Sequence, residues 1–255
     1  MGKIIAVSNQ KGGVGKTTTS INLAAALAYL KQRVLLIDFD PQGNTTTGLG
    51  VTKTKKLVTV NEILFKDIPL SSAIIHLERP PLDIIPASVE LAGADVEMVE
   101  YKMGREKFLK NRLDEVKDDY DYIFIDCPPS LSLLNTNALT ACDSVLIPIQ
   151  CEFYALEGMT QLLSTIRFVQ KLFNKNLKIE GVVLTMLAAN TNLSLEVEQE
   201  VRKYFKGKVF NTNINRSVSY AEAPSFGQSI FEYSPNSKQA AAYAALAKEI
   251  MNRRR

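Results

Sequence analysis

The 255-residue sequence predicts an α/β fold: a single doubly wound, mainly parallel sheet flanked by helices and spanning residues 1–255. Three observations predict it. Short apolar runs bounded by Gly, Pro or Asp alternate with longer segments at helical spacing. The short runs are apolar on both faces, as strands covered on both sides must be. No Pro/Gly/Ser-rich linker, low-complexity tract or internal repeat interrupts the series. A composition of 46% hydrophobic and 22% charged residues supports a sizeable core and excludes a disordered chain.

The elements follow in order. Strands are expected at Lys3–Ser8, Arg33–Asp38, Leu82–Pro86, Tyr122–Asp126, Ser144–Pro148, Ile179–Thr185 and around Val209–Phe210, each a short run rich in Ile, Leu and Val. Between the first two, Lys16–Leu30 reads as a helix with Ile21, Ala24, Ala25 and Ala28 on one side. Leu156–Leu172 is a second, carrying Leu162, Ile166 and Val169 on its inner face. Further helices fit Arg105–Val116, Leu195–Phe205 and Lys238–Asn252. Segment 43–80 is the least regular part, rich in Thr and Lys, with one patterned stretch at Val60–Leu64. It reads as a surface insertion or a binding loop.

Composition also narrows the function classes. No apolar stretch approaches the roughly 20 residues a membrane span needs, and a strand begins at Ile4 with no charged-then-apolar leader, so a cytoplasmic protein is expected. Cys127, Cys142 and Cys151 contain no CxxC pair and read as reduced core thiols. The single histidine, His76, falls in an expected surface connection, which argues against histidine acid/base catalysis. The net charge of +3 hides an asymmetry: residues 201–255 hold ten Lys/Arg against three Glu, leaving −4 on residues 1–200. A basic final quarter fits a polyanionic partner or a solvated surface.

Three motifs carry chemistry. Gly12-Gly13-Val14-Gly15-Lys16-Thr17-Thr18 follows a strand and opens a helix, the context of a phosphate-binding loop. Its glycines let backbone N–H groups curl round phosphate oxygens, Lys16 reaches the terminal phosphates, and the Thr17 hydroxyl completes a Mg²⁺ shell. One departure is visible, since Gln10 stands where the usual pattern asks for Gly. The second motif, Val34–Asn44, is a strand ending in Asp38 and Asp40. Residues i and i+2 of a strand point the same way, so both carboxylates are expected together at the carboxyl end of the sheet. One suits the magnesium shell and the other an attacking water. In the third, Tyr122–Ser130, four apolar residues are closed by Asp126, which can hold magnesium through water.

Together, KGGVGKTTT, VLLIDFDPQGN, YIFIDCPPSL and AEAPSFGQSI resemble the ParA/Soj branch of the deviant Walker A ATPases, the superfamily that also holds MinD. The resemblance covers nearly the whole chain, and DPQGN and EAPS favour ParA/Soj. It implies ATP and Mg²⁺ as cofactors, with phosphate contacts from Lys11 through Gly12, Gly13, Val14, Gly15, Lys16 and Thr17 to Thr18. Lys11, which by itself would be a nearby phosphate contact, is expected to reach the partner's nucleotide across a face-to-face homodimer. Magnesium falls at Thr17 with Asp38 and Asp126 nearby, and Asp40 positions water. The base-binding region maps to Thr185–Met186 and to Asn213, Ile214, Asn215 and Arg216, with Asn215 standing where the family often has Pro. Where the family often has Arg, this chain has Ser219.

The implied activity is ATP-dependent DNA partitioning of a chromosome or plasmid. An ATP-bound dimer binds double-stranded DNA without sequence preference at the nucleoid, and a ParB/Spo0J-type partner triggers hydrolysis and release. A candidate DNA face is the helix Leu195–Phe205, with Val197, Val201, Tyr204 and Phe205 inward and Arg202, Lys203 and Lys206 toward solvent, joined by Arg216. Two other classes compete. A MinD-like membrane-cycling regulator needs a C-terminal amphipathic helix with large apolar residues for lipid. Residues 240–255 offer mainly alanines with Tyr243, Leu246, Ile250 and Met251, so this helix is expected to pack on the domain, and no stable membrane association follows. A nitrogenase-reductase-like protein needs cluster-bridging cysteines, which the three spacings here do not match.

Overall fold

A computed structural model describes residues 2–130, 132–152, 157–187 and 192–254. Eight strands form one sheet: β1 (Lys3–Val7), β2 (Val34–Asp38), β3 (Ile75–His76), β4 (Asp83–Ile85), β5 (Tyr122–Asp126), β6 (Ser144–Gln150), β7 (Lys178–Leu187) and β8 (Ile214–Asn215). Their order is β3-β4-β2-β5-β1-β6-β7-β8, parallel throughout except β3, which runs antiparallel to β4. The helices are α1 (Lys16–Tyr29), α2 (Asn44–Gly48), α3 (Val60–Phe65), α4 (Ala94–Val99), α5 (Phe108–Leu113), α6 (Leu133–Ala141), α7 (Glu157–Leu172), α8 (Asn192–Phe205), α9 (Ser219–Glu222), α10 (Ile230–Tyr233) and α11 (Lys238–Arg254).

The strand alternation divides the core in two. Ile4, Ala6, Leu35, Ile37, Ile123 and Ile125 face one layer, which includes Leu134 of α6 and Leu162 and Ile166 of α7. Ile5, Val7, Leu36, Tyr122 and Phe124 face the other, built from α1, α10 and α11. Both faces are covered, which is why the strands are continuously apolar. Helix α11 buries Tyr243, Leu246, Ala247 and Ile250 against the alanine-rich α1. The small side chains of α1 allow that close approach, so Tyr243, Leu246 and Ile250 of α11 are committed to the protein interior.

Several boundaries differ from expectation for local reasons. Val209 makes only one bridge, to Val182, and the edge strand proper lies later at β8, because the turn at Lys206–Gly207 leaves few residues to extend the pairing. The helix expected at Arg105–Val116 is shorter, a 3₁₀ turn at Arg105–Lys107 leading into α5. Segment 43–80 holds α2, α3 and β3. Thr59 and Glu62 close a capping box on α3, so Val60–Leu64 is the body of a helix. His76 lies on the edge strand β3, exposed, with Nδ1 2.6 Å from Asp83 Oδ1. All three cysteines are buried and free, and burial pushes the Cys142 and Cys151 thiols up to about 12.

Candidate nucleotide site

The phosphate loop is pinned before it turns. Asn9 Nδ2 donates to Pro148 O at 2.7 Å, and the Lys11 amide donates back to Asn9 Oδ1 at 3.1 Å, tying the loop to β6. Gly13 and Gly15 take left-handed φ values of 74° and 83°, which side chains resist. A Cβ on Gly12 or Gly13 would meet nothing within 4 Å, so the hollow beside them is wide enough for a ligand to touch backbone. Gly15 begins α1 with no side-chain cap, leaving the first amides of the helix available to an anion.

Lys16 is 7% exposed, and its Nζ donates to the Lys11 carbonyl at 3.1 Å. Burial lowers its pKa, with the charge of Asp126 opposing that fall. A buried ammonium held by a loop carbonyl suits an incoming polyanion. Thr17 Oγ1 donates to Asp126 Oδ2 at 2.9 Å, and Asp126 also accepts from Ser20 Oγ at 2.9 Å and Thr45 Oγ1 at 2.6 Å. Asp126 is 1% exposed and its pKa is raised by burial, while the three hydroxyls work against the rise. It therefore stands behind Thr17 rather than on the cavity wall.

The two acids of the second motif are neighbours, the Asp40 amide donating to Asp38 Oδ1 at 3.3 Å, but Asp40 lines the cavity and Asp38 does not. Strand β2 ends at Asp38, so Asp40 sits in the following turn, where the two-residue alternation of a strand no longer applies. Asp38 is fully buried and turns to α2: its Oδ2 accepts from Thr46 N at 2.7 Å and Thr46 Oγ1 at 2.6 Å. Burial, then the neighbouring Asp126, raises its pKa to about 7. Asp40 instead lines a cavity of about 350 Å³ with Gly12, Gly13, Lys16, Thr17 and Thr18. Its Oδ1 accepts from the Gln42 amide at 2.9 Å, which aims the side chain.

A second cavity of about 250 Å³ shares Gly15, Thr18 and Met186 with the first, so the two form adjoining halves. Met186 sits at the junction with a left-handed φ of 52°. Asn215, Arg216, Tyr220 and Tyr243 line the second half, and Thr185 Oγ1 clamps it to the loop by donating to Val14 O at 2.9 Å. Val14 itself is 1% exposed, contributing backbone alone.

Other expected residues lie elsewhere. Asn213 faces α8, its amide nitrogen 3.3 Å from Glu198 Oε1 and its oxygen accepting from Arg202. Arg202 is only partly exposed: it pairs with Glu198 at 2.8 Å and donates to Phe210 O, so its charge is largely committed within the chain. Lys203 is exposed with Glu200 3.9 Å away, and Lys206 is exposed at the end of α8. Lys11 lies outside both cavities, its Nζ 3.2 Å from Glu152 Oε2 in an exposed pair. Sequence reasoning missed Ser20, Thr45, Thr46, Tyr220 and Tyr243. The run Asn44-Thr45-Thr46-Thr47 directly after the acidic strand end was the available signal for two of them.

Residues 2–179 match a family described as an AAA domain. The chain is 57% identical to the sporulation initiation inhibitor protein Soj of Bacillus subtilis over 250 residues, 98% of each chain. It is 49% identical to the chromosome partitioning protein ParA of Myxococcus xanthus, covering 99% of this chain and 89% of that one. Among solved structures, a Mycobacterium smegmatis protein described as cobyrinic acid a,c-diamide synthase, with bound ADP and magnesium, superposes with a TM-score of 0.87 at 37% identity, covering 99% and 95% of the two chains. A Borrelia burgdorferi plasmid partition protein bound to AMPPNP gives 0.79 at 28% identity, over all of both chains. Identity of this extent along the whole length, on a sheet that places the phosphate loop and the acidic turn together at the carboxyl ends of its inner strands, means that the chain belongs to the ParA/Soj family.

Proposed function

We propose that the protein is a partitioning ATPase that binds ATP and Mg²⁺ and acts as a nucleotide-switched homodimer on DNA. The observation that carries this reading is the convergence of buried Lys16, Thr17 backed by Asp126, and Asp40 on one cavity, in a chain 57% identical to Soj. The donor set fits the cofactors: uncapped amides and a buried ammonium for phosphates, and a hydroxyl with a carboxylate behind it for magnesium. Bound magnesium supplies charge neutralisation of the phosphates. Lys16 holds the terminal phosphates, Thr17 offers its hydroxyl oxygen while donating to Asp126, and Asp40 positions a water for attack. The second cavity takes the base and ribose between Met186, Asn215 and Arg216.

Lys11 extends the argument to two chains. Its ion pair with Glu152 is exposed and of the kind worth about 0–1 kcal/mol, so the side chain is free to leave it for a partner's phosphates. ATP would close the dimer, the dimer would bind double-stranded DNA at the nucleoid, and a ParB/Spo0J-type partner would trigger hydrolysis. Lys203, Lys206 and Arg216 supply candidate DNA charges, with Arg202 in a supporting role.

The names of solved neighbours raise an amidation reading. The buried thiols of Cys127, Cys142 and Cys151, all with raised pKa values, are poorly suited to act as the nucleophile that glutamine-dependent amidation uses. A lipid-cycling reading has little support from α11, whose large apolar residues Tyr243, Leu246 and Ile250 are buried. DNA binding and molecular size measured with ADP, ATP and a slowly hydrolysed analogue test the proposal: ATP-specific dimerisation and DNA binding are expected, and equal behaviour in all three nucleotides would refute it.

A further inference from the structure

A cavity of about 770 Å³, larger than either half of the nucleotide site, opens at the opposite, amino-terminal ends of the strands. Lys3, Ser144 and Lys178 on its wall are the first residues of β1, β6 and β7, whereas the phosphate loop leaves the carboxyl end of β1. Three of the cations of residues 201–255 gather there: Lys206 and Lys208 follow α8, and Arg253 lies in the last turn of α11.

The charges in this cavity are unequal. Among the described residues, five cations, Lys3, Lys178, Lys206, Lys208 and Arg253, line it against two carboxylates, Asp143 and Glu180. Glu180 is buried and already holds Lys3 Nζ at 2.7 Å and Ser144 Oγ at 2.7 Å. Asp143 Oδ2 accepts the Ile4 amide at 2.8 Å. Arg253 is fixed by backbone and ring, donating to the carbonyls of Glu180, Lys208 and Val209 and lying 3.9 Å over the Phe210 ring, with no carboxylate partner among the described residues. Among the described residues, Lys178, Lys206 and Lys208 make no ion pair and are exposed on the rim.

We infer that this cavity binds a compact oligophosphate anion, two or more adjacent phosphoryl groups held between Lys178, Lys206, Lys208 and Arg253. Three uncommitted ammonium groups round a concave wall concentrate positive potential, and a guanidinium anchored by backbone carbonyls is preorganised for an anion. Lys206 and Gly207 take successive left-handed φ values of 33° and 70°, a conformation that costs a lysine backbone energy and turns the strand-side wall of the cavity. Phe210 is fully buried beneath Arg253, so the wall offers charge to phosphate rather than a ring face to a base.

The test is an amide-shift titration of isotopically labelled protein with inorganic tripolyphosphate, because it separates this cavity from the phosphate loop by position. Saturable shifts at the amides of Lys178, Gly207 and Lys208 are expected, with affinity weakened about tenfold in Lys178→Ala/Lys208→Ala. In that variant the Gly13 amide should respond as in the parent, which shows that the fold persists. The inference is overturned if those three amides stay unmoved, if sodium chloride at equal ionic strength moves them alike, or if Lys55→Ala/Lys56→Ala weakens binding as much. A competing arm with a short DNA duplex identifies the source of the phosphoryl groups. Displacement of tripolyphosphate assigns the cavity to a nucleic-acid backbone, and no displacement assigns it to a free oligophosphate.

Discussion

Lys16 and Asp38 show how single residues are set by burial. Lys16 is a nearly buried cation that donates to a carbonyl, and among the described residues it is the only lysine on the phosphate-side cavity. Lys16→Ala is expected to abolish ATP binding, since a buried charge left without its partner costs about 3–5 kcal/mol. Fluorescent-nucleotide titration checks this, and near-normal binding would remove the loop assignment. Asp38 gives the opposite case, a buried carboxyl whose pKa rises from 3.8 to about 7. Because the folded value exceeds the unfolded one, the carboxyl's contribution to stability is fully present below pH about 4 and is lost as pH rises to about 7. Asp38→Asn should therefore flatten the fall in Tm between pH 5 and pH 8 in the nucleotide-free protein. A Tm profile parallel to the parent's would show that Asp38 is ionised at both values.

At the scale of elements, α2 is the joint of the site. Its Thr45 and Thr46 donate to Asp126 and Asp38, and Thr46 Oγ1 accepts the Ala87 amide at 3.0 Å, so one short turn links β2, β5 and the segment after β4. Just beyond it, Gly50 and Gly227 meet backbone to backbone. A Cβ on Gly227 would lie 2.6 Å from Gly50 Cα, and its φ of 67° is left-handed. Gly227→Ala is expected to cost on the order of 2 kcal/mol, seen as a lower denaturant midpoint at unchanged slope. Gly93→Ala is the comparison, because a Cβ there meets nothing within 4 Å and its φ is −80°, so its midpoint should barely move. Equal midpoints for the two variants would mean that the Gly50–Gly227 approach is not tight in solution.

For the whole molecule, Lys11 separates an ordinary nucleotide-binding monomer from a nucleotide-switched pair. Lys11 reaches neither cavity of its own chain and rests on Glu152 at the surface. If it serves the partner's nucleotide, Lys11→Ala should bind ATP normally while dimerisation, hydrolysis and DNA binding fail together at saturating nucleotide. The shared failure is expected because each activity needs the closed pair, and facing phosphates without that cation repel across a poorly screened interface. Sizing and DNA-binding measurements at saturating ATP check this. A variant that dimerises and binds DNA as the parent does would overturn the trans role.

Long-range placement, more than local chemistry, divides what could be read in advance from what could not. The inner strands were legible because each is an apolar run covered on both faces, and the phosphate loop because its glycines, lysine and threonine are contiguous in the chain. Helix α3 was legible in principle from Thr59 and Glu62, three residues apart. The sequence by itself thus determined the α/β class, the loop and the acidic strand ends, since spacing along the chain is enough for backbone conformation and local motifs. Tertiary structure alone decided that Asp38 turns to Thr46 while Asp40 faces the cavity, that Arg202 is spent on Glu198, and that Lys3, Lys178, Lys208 and Arg253 share one hollow. These depend on where strands end and which distant segments pack together, and side-chain direction and burial are settled only when those contacts form.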